Sequence, residues 1–213
     1  MSRLRFTISM SLDGFVAGPN PSVENPLGVG GEQLHEWALG LAAWREHHGL
    51  EGGEVNASTD VMERSLENIG AVVMGRNMFG GEAAWGDDPW DGWWGDDPPF
   101  HVPVLVLTHQ PRERVTKEGG TSFTFVTDGI QSALEQARAA ARGKDVGLGG
   151  GASVAQQYLS AGLIDEMLIS LVPVFLGDGT RLFDNLAGVQ IGLECTGVVD
   201  APGVTHLTYR VER

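Results

Sequence analysis

The stretch Leu148-Gly149-Gly150-Gly151-Ala152-Ser153-Val154-Ala155 constrains this chain more than any other. An apolar run with Val146 and Leu148 meets three glycines. A helix-like run from Ala152 to Ala161 follows at once and stops at Gly162. A strand that crosses bare backbone into a helix builds an anion site, because the helix N-terminus carries partial positive charge and free N–H groups. Glycine lets a diphosphate approach the backbone with no Cβ in the way. The spacing is neither GxGxxG nor the Walker GxxxxGK[ST], so a nucleotide held here sits on another fold. Taken alone, the same residues also describe a buried glycine turn without a ligand.

The rest of the chain supplies more strand ends. Leu4, Phe6, Ile8 and Met10 alternate with polar residues, as on a half-buried strand. Ser11 to Pro21 reads as a loop. Leu34, Trp37, Ala38 and Leu41 have helical spacing within Glu32–Glu46. Ser58 to Asn68 reads as a helix capped by Ser58, Thr59 or Asp60 and closed by Gly70. Ala71–Met74 and Pro103–Leu107 are wholly apolar, as in buried parallel strands. Ser122–Val126 alternates as a strand, Gly129–Arg142 reads as a helix, and Asp145–Leu148 as a strand. Asp165–Leu176 is a long strand edged at Pro173. Ile191–Val199 and Val204–Val211 form a closing antiparallel pair. Between Met74 and Pro103, Trp85, Trp90, Trp93 and Trp94 alternate with Asp87, Asp88, Asp91, Asp96 and Asp97 in a surface loop with aromatic anchors. No linker divides the chain, so residues 1–213 read as one domain, with this Asp/Trp-rich loop at 85–101.

Strands separated by helices, then strands without them, give an α/β fold: a mostly parallel sheet with an antiparallel edge. In such a sheet, ligands bind outside the carboxyl ends of the strands. Three apolar strands end there in polar turns: Gly75-Arg76-Asn77, Thr108-His109 and the glycine turn. Arg76 offers a charged fork for phosphate. Thr108 and His109 offer further donors.

The ordered set Ile8-Ser9-Met10-Ser11-Leu12-Asp13-Gly14-Phe15-Val16-Ala17, Val73-Met74-Gly75-Arg76, Val104-Leu105-Val106-Leu107-Thr108-His109, Gly149-Gly150-Gly151-Ala152-Ser153, Leu163-Ile164-Asp165-Glu166 and Pro173-Val174-Phe175-Leu176-Gly177-Asp178-Gly179 with Leu182-Phe183 spans nearly the whole chain. It resembles the dihydrofolate-reductase-like family that includes the reductase domain of bacterial riboflavin biosynthesis. It stands nearer to that bacterial branch than to dihydrofolate reductase itself. The resemblance implies a dihydrofolate-reductase-like central sheet with helices on both faces and NADPH across its strand ends. Gly75, Arg76 and Asn77 are then expected by the cofactor phosphates, and Thr108 and His109 at the adenosine end with its 2′-phosphate. Gly149, Gly150, Gly151, Ala152 and Ser153 hold the diphosphate. Ala17 and Gly18 border the nicotinamide. The family also implies an unusual Gly–Gly peptide, expected as cis at Gly149–Gly150.

The expected activity is NADPH-dependent reduction of a small planar heterocycle or imine, at a CH–NH or C=N bond, pteridine-like or aminopyrimidine-like. The substrate is placed near Phe79, Trp85 and the Ser11–Gly18 loop. Asp13 and Asp60 are the candidate proton-transfer residues, Asp13 serving otherwise as a turn brace. NADP(H) binding without turnover and dihydrofolate reductase activity are the alternatives.

A net charge of −14 argues against nucleic acid as a partner. Cys195 stands alone, excludes an intrachain disulfide and reads as a small core residue. His47 and His48 are adjacent and face apart, so no metal is expected. No GxSxG supports a hydrolase. No apolar run reaches the ~18 residues of a membrane span, and Met1-Ser2-Arg3-Leu4-Arg5 lacks a signal peptide's apolar core, so a cytoplasmic location is expected. The apolar Leu168–Leu176 segment and the antiparallel edge lead us to expect a homodimer.

Overall fold

The computed structural model describes residues 2–87, 90–186 and 188–212. Asp88 and Pro89 of the Asp/Trp-rich stretch lie outside these residues. The chain begins with β1 (Leu4–Ser11) and the short β2 (Phe15–Ala17). Three helices follow: α1 (Glu36–Leu39), α2 (Ala42–His47) and α3 (Ala57–Leu66). Then come β3 (Ile69–Gly75), α4 (Arg76–Phe79), β4 (Pro103–Leu107), β5 (Val115–Thr116) and β6 (Ser122–Val126). Next are α5 (Ile130–Ala141), β7 (Asp145–Gly150) and α6 (Ala152–Ser160). The chain closes with β8 (Glu166–Val172), β9 (Thr180–Arg181), β10 (Leu193–Ala201) and β11 (Val204–Val211). The fold is α/β, with a mostly parallel central sheet and antiparallel edge strands.

The chain divides into two compact units, one of Met1–Phe6 with Asn68–Ile164, the other of Thr7–Glu67 with Asp165–Arg213. In the first, the strand order is β1-β7-β3-β4-β6-β5. All these neighbours pair in parallel except β5, which is antiparallel to β6. The apolar run of β3 has Ala71, Val72, Val73 and Met74 all buried, as a strand covered on both faces requires. α5 packs its Ala133, Leu134, Ala137 and Ala141 stripe inward. Tyr158 of α6 is fully buried and its hydroxyl donates to the Ile130 carbonyl at 2.7 Å. A second cluster joins Val72, Met74, Val104, Val106, Phe79, Ala84 and Phe123, with Trp85, Trp94 and Phe100 packed against it. The tryptophans of the Asp/Trp-rich stretch are therefore partly internal. Fully burying a side chain such as Phe79 or Phe123 stabilises by about 1.5–3 kcal/mol.

In the second unit, β8 pairs antiparallel with β11, and β11 with β10. Leu34, Val172 and Val204 form its small apolar core, with Trp37, Val174 and Leu176 against it. β2 and β9 make a separate two-stranded ladder.

Several expectations are corrected. The Glu32–Glu46 pattern is not one helix but a 3-10 turn at Gly31–Leu34 and two short helices, α1 and α2, interrupted at Gly40-Leu41. Its apolar spacing survives, with Leu34, Ala38 and Leu41 buried. The cap of α3 is Asn56, not Ser58, Thr59 or Asp60. Asn56 Oδ1 accepts from Ser58 N at 2.8 Å, and the Thr59 hydroxyl accepts from Asn56 N at 3.1 Å, a reciprocal capping box. Gly70 does not close that helix; it lies within β3, where a Cβ would press on the Ala141 backbone. In β1 the alternation shifts after Phe6, so Ser9 and Ser11 are buried while Ile8 and Met10 are only partly so. Trp37 Nε1 donates to Ser9 Oγ, and Phe15 N donates to Ser11 Oγ, which satisfies both hydroxyls. Cys195 is not a core residue but exposed, on β10.

Candidate active site

In the first unit, the register brings three strand ends together. Gly75 pairs with Leu107, and Met74 with Gly150. Arg76, Thr108 and Gly151 therefore leave three adjacent parallel strands, β3, β4 and β7, at one level. This is the crevice position for a ligand in a parallel sheet.

The glycine turn forms the floor. Gly149 and Gly150 end β7, and Gly151 caps α6 without a side-chain hydrogen bond. Val154 N donates to the Gly151 carbonyl at 3.1 Å, and no side-chain cap takes up the amides of Ala152 and Ser153 at the head of the helix. Gly150 has φ +109°, a conformation that glycine alone adopts without strain. The cis peptide lies at Gly150–Gly151, one bond beyond the expected Gly149–Gly150. Gly151 and Ser153 are exposed, and a Cβ on Gly151 would meet nothing within 4 Å. A Cβ on Gly75 would stand 2.8 Å from Val154 Cγ2, 3.7 Å from Gly150 O and 3.8 Å from Gly151 N. The two glycine positions thus adjoin, with Ala152 buried beneath them.

The walls carry the polar groups. Arg76 opens α4 and is partly exposed, its Nη2 3.8 Å from the exposed Glu82 carboxylate. Asn77 is exposed beside it. The Thr108 hydroxyl accepts from Gln110 N at 3.1 Å, which shapes a tight turn, and His109 is exposed at its apex.

The substrate-wall expectation for Phe79 is corrected. Phe79 is fully buried, edge-on to Phe123 and Phe125 with centroids 5.0 Å away. Its ring has no face left for a ligand. Trp85 packs edge-on to Phe79 and Phe125, and its Nε1 donates to Gln110 O at 3.2 Å. The Trp85 ring itself is half-buried.

The other candidates belong to the second unit. Asp13 is a brace. Ser11 Oγ donates to its Oδ1 at 2.6 Å, and the amides of Leu176 and Gly177 donate to its two oxygens at 3.2 and 2.8 Å. The Ser11 hydroxyl does most to hold this carboxyl below its ordinary value; desolvation opposes it, and the two amides add to it. A carboxylate so held is a poor proton donor near neutral pH. Ala17 ends β2, and Gly18 is buried against the Val29 backbone. Asp60 is exposed on the first turn of α3, where only its backbone carbonyl is engaged, by Arg64 Nε.

Sequence reasoning missed Arg112. It lies in an irregular segment between Pro111 and Glu113, with no periodicity to mark it. Its Nη1 donates to Ala84 O at 2.7 Å and Trp90 O at 2.9 Å, and its Nη2 to Asp91 Oδ1 at 2.7 Å. Among the described residues, no cluster of three His, Cys, Asp or Glu is placed to hold a metal. Nor is any described helix long and apolar enough to cross a membrane.

A family model described as the RibD C-terminal domain matches residues 3–207. The Bacillus subtilis protein YyaP is 29% identical over 124 residues, 55% of this chain and 61% of that protein, so the match spans less than two thirds of the relative. A Shewanella sp. PV-4 protein assigned to riboflavin biosynthesis has a similar fold, with TM-score 0.64, 23% identity and full coverage of both chains. The Saccharomyces cerevisiae riboflavin biosynthesis reductase Rib7 gives TM-score 0.55 and 13% identity over 100% of this chain and 89% of that one. A pyrimidine reductase-like protein of Corynebacterium diphtheriae gives 0.56 and 16% over 100% and 92%.

Proposed function

The chain belongs to the RibD C-terminal domain family, and from that premise we propose that it is an NADPH-dependent reductase of a small planar heterocycle of the aminopyrimidine class. The observation that carries this reading is the level register of three strand ends, with an uncapped glycine turn on one and a guanidinium on the next. The residues fit a dinucleotide phosphate. The space over Gly151 is open, and the glycines leave the backbone bare where a side chain would block approach. Gly149 to Ser153 would hold the diphosphate. Arg76 and Asn77, with Thr108 and His109, would hold the 2′-phosphate end. Bound NADPH supplies the hydride; the chain supplies binding and orientation. At −14 net charge the chain repels a dinucleotide at long range, so these local donors must carry the affinity.

Fluorescence titration with NADPH tests the reading. Saturable binding is expected, and none at millimolar cofactor would overturn it. Arg76→Ala should remove a charge-assisted pair worth about 1.5–3 kcal/mol, roughly a tenfold to hundredfold loss of preference for NADPH over NADH. Equal affinity for both cofactors in the unmutated protein removes the 2′-phosphate role.

Binding without turnover has one observation in its favour: the Asp13 carboxylate is tied up as a brace. Loss of nicotinamide absorbance with aminopyrimidine or pteridine substrates separates a reductase from a binder.

We also propose a homodimer. β10 is an outer strand, and its Leu193 and Val198 are 43% and 61% exposed. Such an edge invites pairing, and a symmetric copy is the commonest cover. Light scattering should give about twice the chain mass of 22.7 kDa. A single-chain mass at low and high salt would end the idea.

A further inference from the structure

The Thr108-His109-Gln110 turn does not stand alone. Trp85 Nε1 reaches across to Gln110 O at 3.2 Å, while Gln110 N and O both bond the Thr108 hydroxyl, at 3.1 and 3.3 Å. Two residues on, Arg112 reaches back into the segment that holds Trp85. Its three hydrogen bonds end on Ala84 O, Trp90 O and Asp91. Its guanidinium carbon stands 5.4, 5.8 and 5.4 Å from the Phe79, Trp85 and Phe125 ring centroids. Lys117 Nζ adds a second cation to Asp91 at 3.5 Å. The two segments clasp each other in both directions.

Trp85 ends a 3-10 turn, Glu82–Trp85, that begins at Glu82, whose carboxylate faces Arg76. One element therefore touches both arms offered to the 2′-phosphate: Arg76 on β3's side and the Thr108 turn on β4's. Arg112 is only 14% exposed at its side chain. Three aromatic rings surround it, and an apolar side chain would pack there without the cost of desolvating a charge. Holding two carbonyls and a carboxylate at fixed angles is what a planar fork does and an apolar group cannot. For Trp85 the argument is similar. A phenylalanine would fill the gap against Phe79 and Phe125, but would leave Gln110 O without this donor.

We propose that Trp85 and Arg112 are positioning residues for cofactor discrimination, fixing the Thr108-His109-Gln110 turn against the Arg76 arm. This rests on the NADPH reading above. A turn misplaced by about 1 Å loses alignment on a phosphate without losing the fold. NADH lacks that phosphate, so it should be indifferent to the change.

The test uses Trp85→Phe, which keeps a ring and removes the N–H, and Arg112→Lys, which keeps the charge and removes the fork. Without cofactor, hydrogen–deuterium exchange over residues 108–112 should speed up in both. The ratio of NADH to NADPH dissociation constants should fall about fivefold in Trp85→Phe and about tenfold in Arg112→Lys. A purely structural role would lower the thermal midpoint and weaken both cofactors alike, leaving the ratio in place. Should one variant fail to fold, the other carries the same comparison. An unchanged ratio in a folded variant overturns this proposal and leaves NADPH binding standing. An unmutated chain that binds neither cofactor overturns the cofactor reading and this proposal with it; one that binds both equally removes the 2′-phosphate role and this proposal, and leaves nicotinamide-cofactor binding standing.

Discussion

Gly179→Ala should destabilise the protein by about 3 kcal/mol or more. Gly179 has φ +127°, where an L side chain is strained whatever the space. Space is also missing. A Cβ would run into the Ala17 carbonyl oxygen and lie 2.8 Å from Gly18 Cα. Both neighbours are backbone, so no side chain can rotate away. Relief requires breaking the β2–β9 ladder, in which Ala17 pairs with Thr180. Gly177→Ala is the control. It has φ +76°, but a Cβ there meets nothing within 4 Å. It should lose only about 1–2 kcal/mol from backbone strain. Urea unfolding followed by tryptophan fluorescence measures both. Equal losses would show that the contact with Ala17 adds nothing.

That close approach was invisible in the sequence, and the reason is general. Periodicity reports burial along one element; it does not report which backbones meet. β4 and β6 matched their expected bounds because each is a short apolar or alternating run between turn residues. α5 was legible from one stripe of small and aliphatic residues, Ala133, Leu134 and Ala137. By contrast, the segment from Gly31 to His47 has the apolar spacing of a helix and still breaks at Gly40-Leu41. Leu41 N donates to Ala38 O, and Ala42 N to Glu54 O, so tertiary pairing takes over where the helix would continue.

The candidate site was legible where its chemistry lies in the backbone. A glycine turn after an apolar strand is a local feature, and the parallel register then sets it beside Gly75 and Thr108. The supports were not legible. Arg112 acts through residues 21–28 positions away, and nothing next to it in the chain marks it. Phe79 reads as a ligand platform in the sequence because an aromatic near a strand end can serve as either wall or core. The decision between those roles lay with Phe123 and Phe125, on a strand read independently.

Acid should weaken the fold through His206. This residue is 1% exposed on β11 and sits between two hydroxyls, with Ser170 Oγ 2.9 Å from Nδ1 and Ser58 Oγ 2.9 Å from Nε2. Trp37 lies edge-on to it at 4.8 Å. Its signal in the sequence was modest: it falls two residues after Val204, on the same inward face. Burial pushes its pKa down to about 4 from the ordinary 6.5. The folded state therefore keeps the ring neutral, whereas the unfolded chain takes up a proton near 6.5. Between those values the unfolded state binds more protons, so stability is full above pH 6.5 and falls as pH drops toward 4. The slope approaches about 1.4 kcal/mol per pH unit, or about 3 kcal/mol across the window. Burial lowers the His35 pKa as well, and it adds in the same direction. Comparison with His206→Gln isolates the His206 share, because a neutral amide can still bond the two serines but does not titrate. From pH 8 to pH 5 the unmutated protein should lose about 2 kcal/mol more urea stability than the variant. Parallel curves for the two proteins would mean that His206 is not held neutral by the fold.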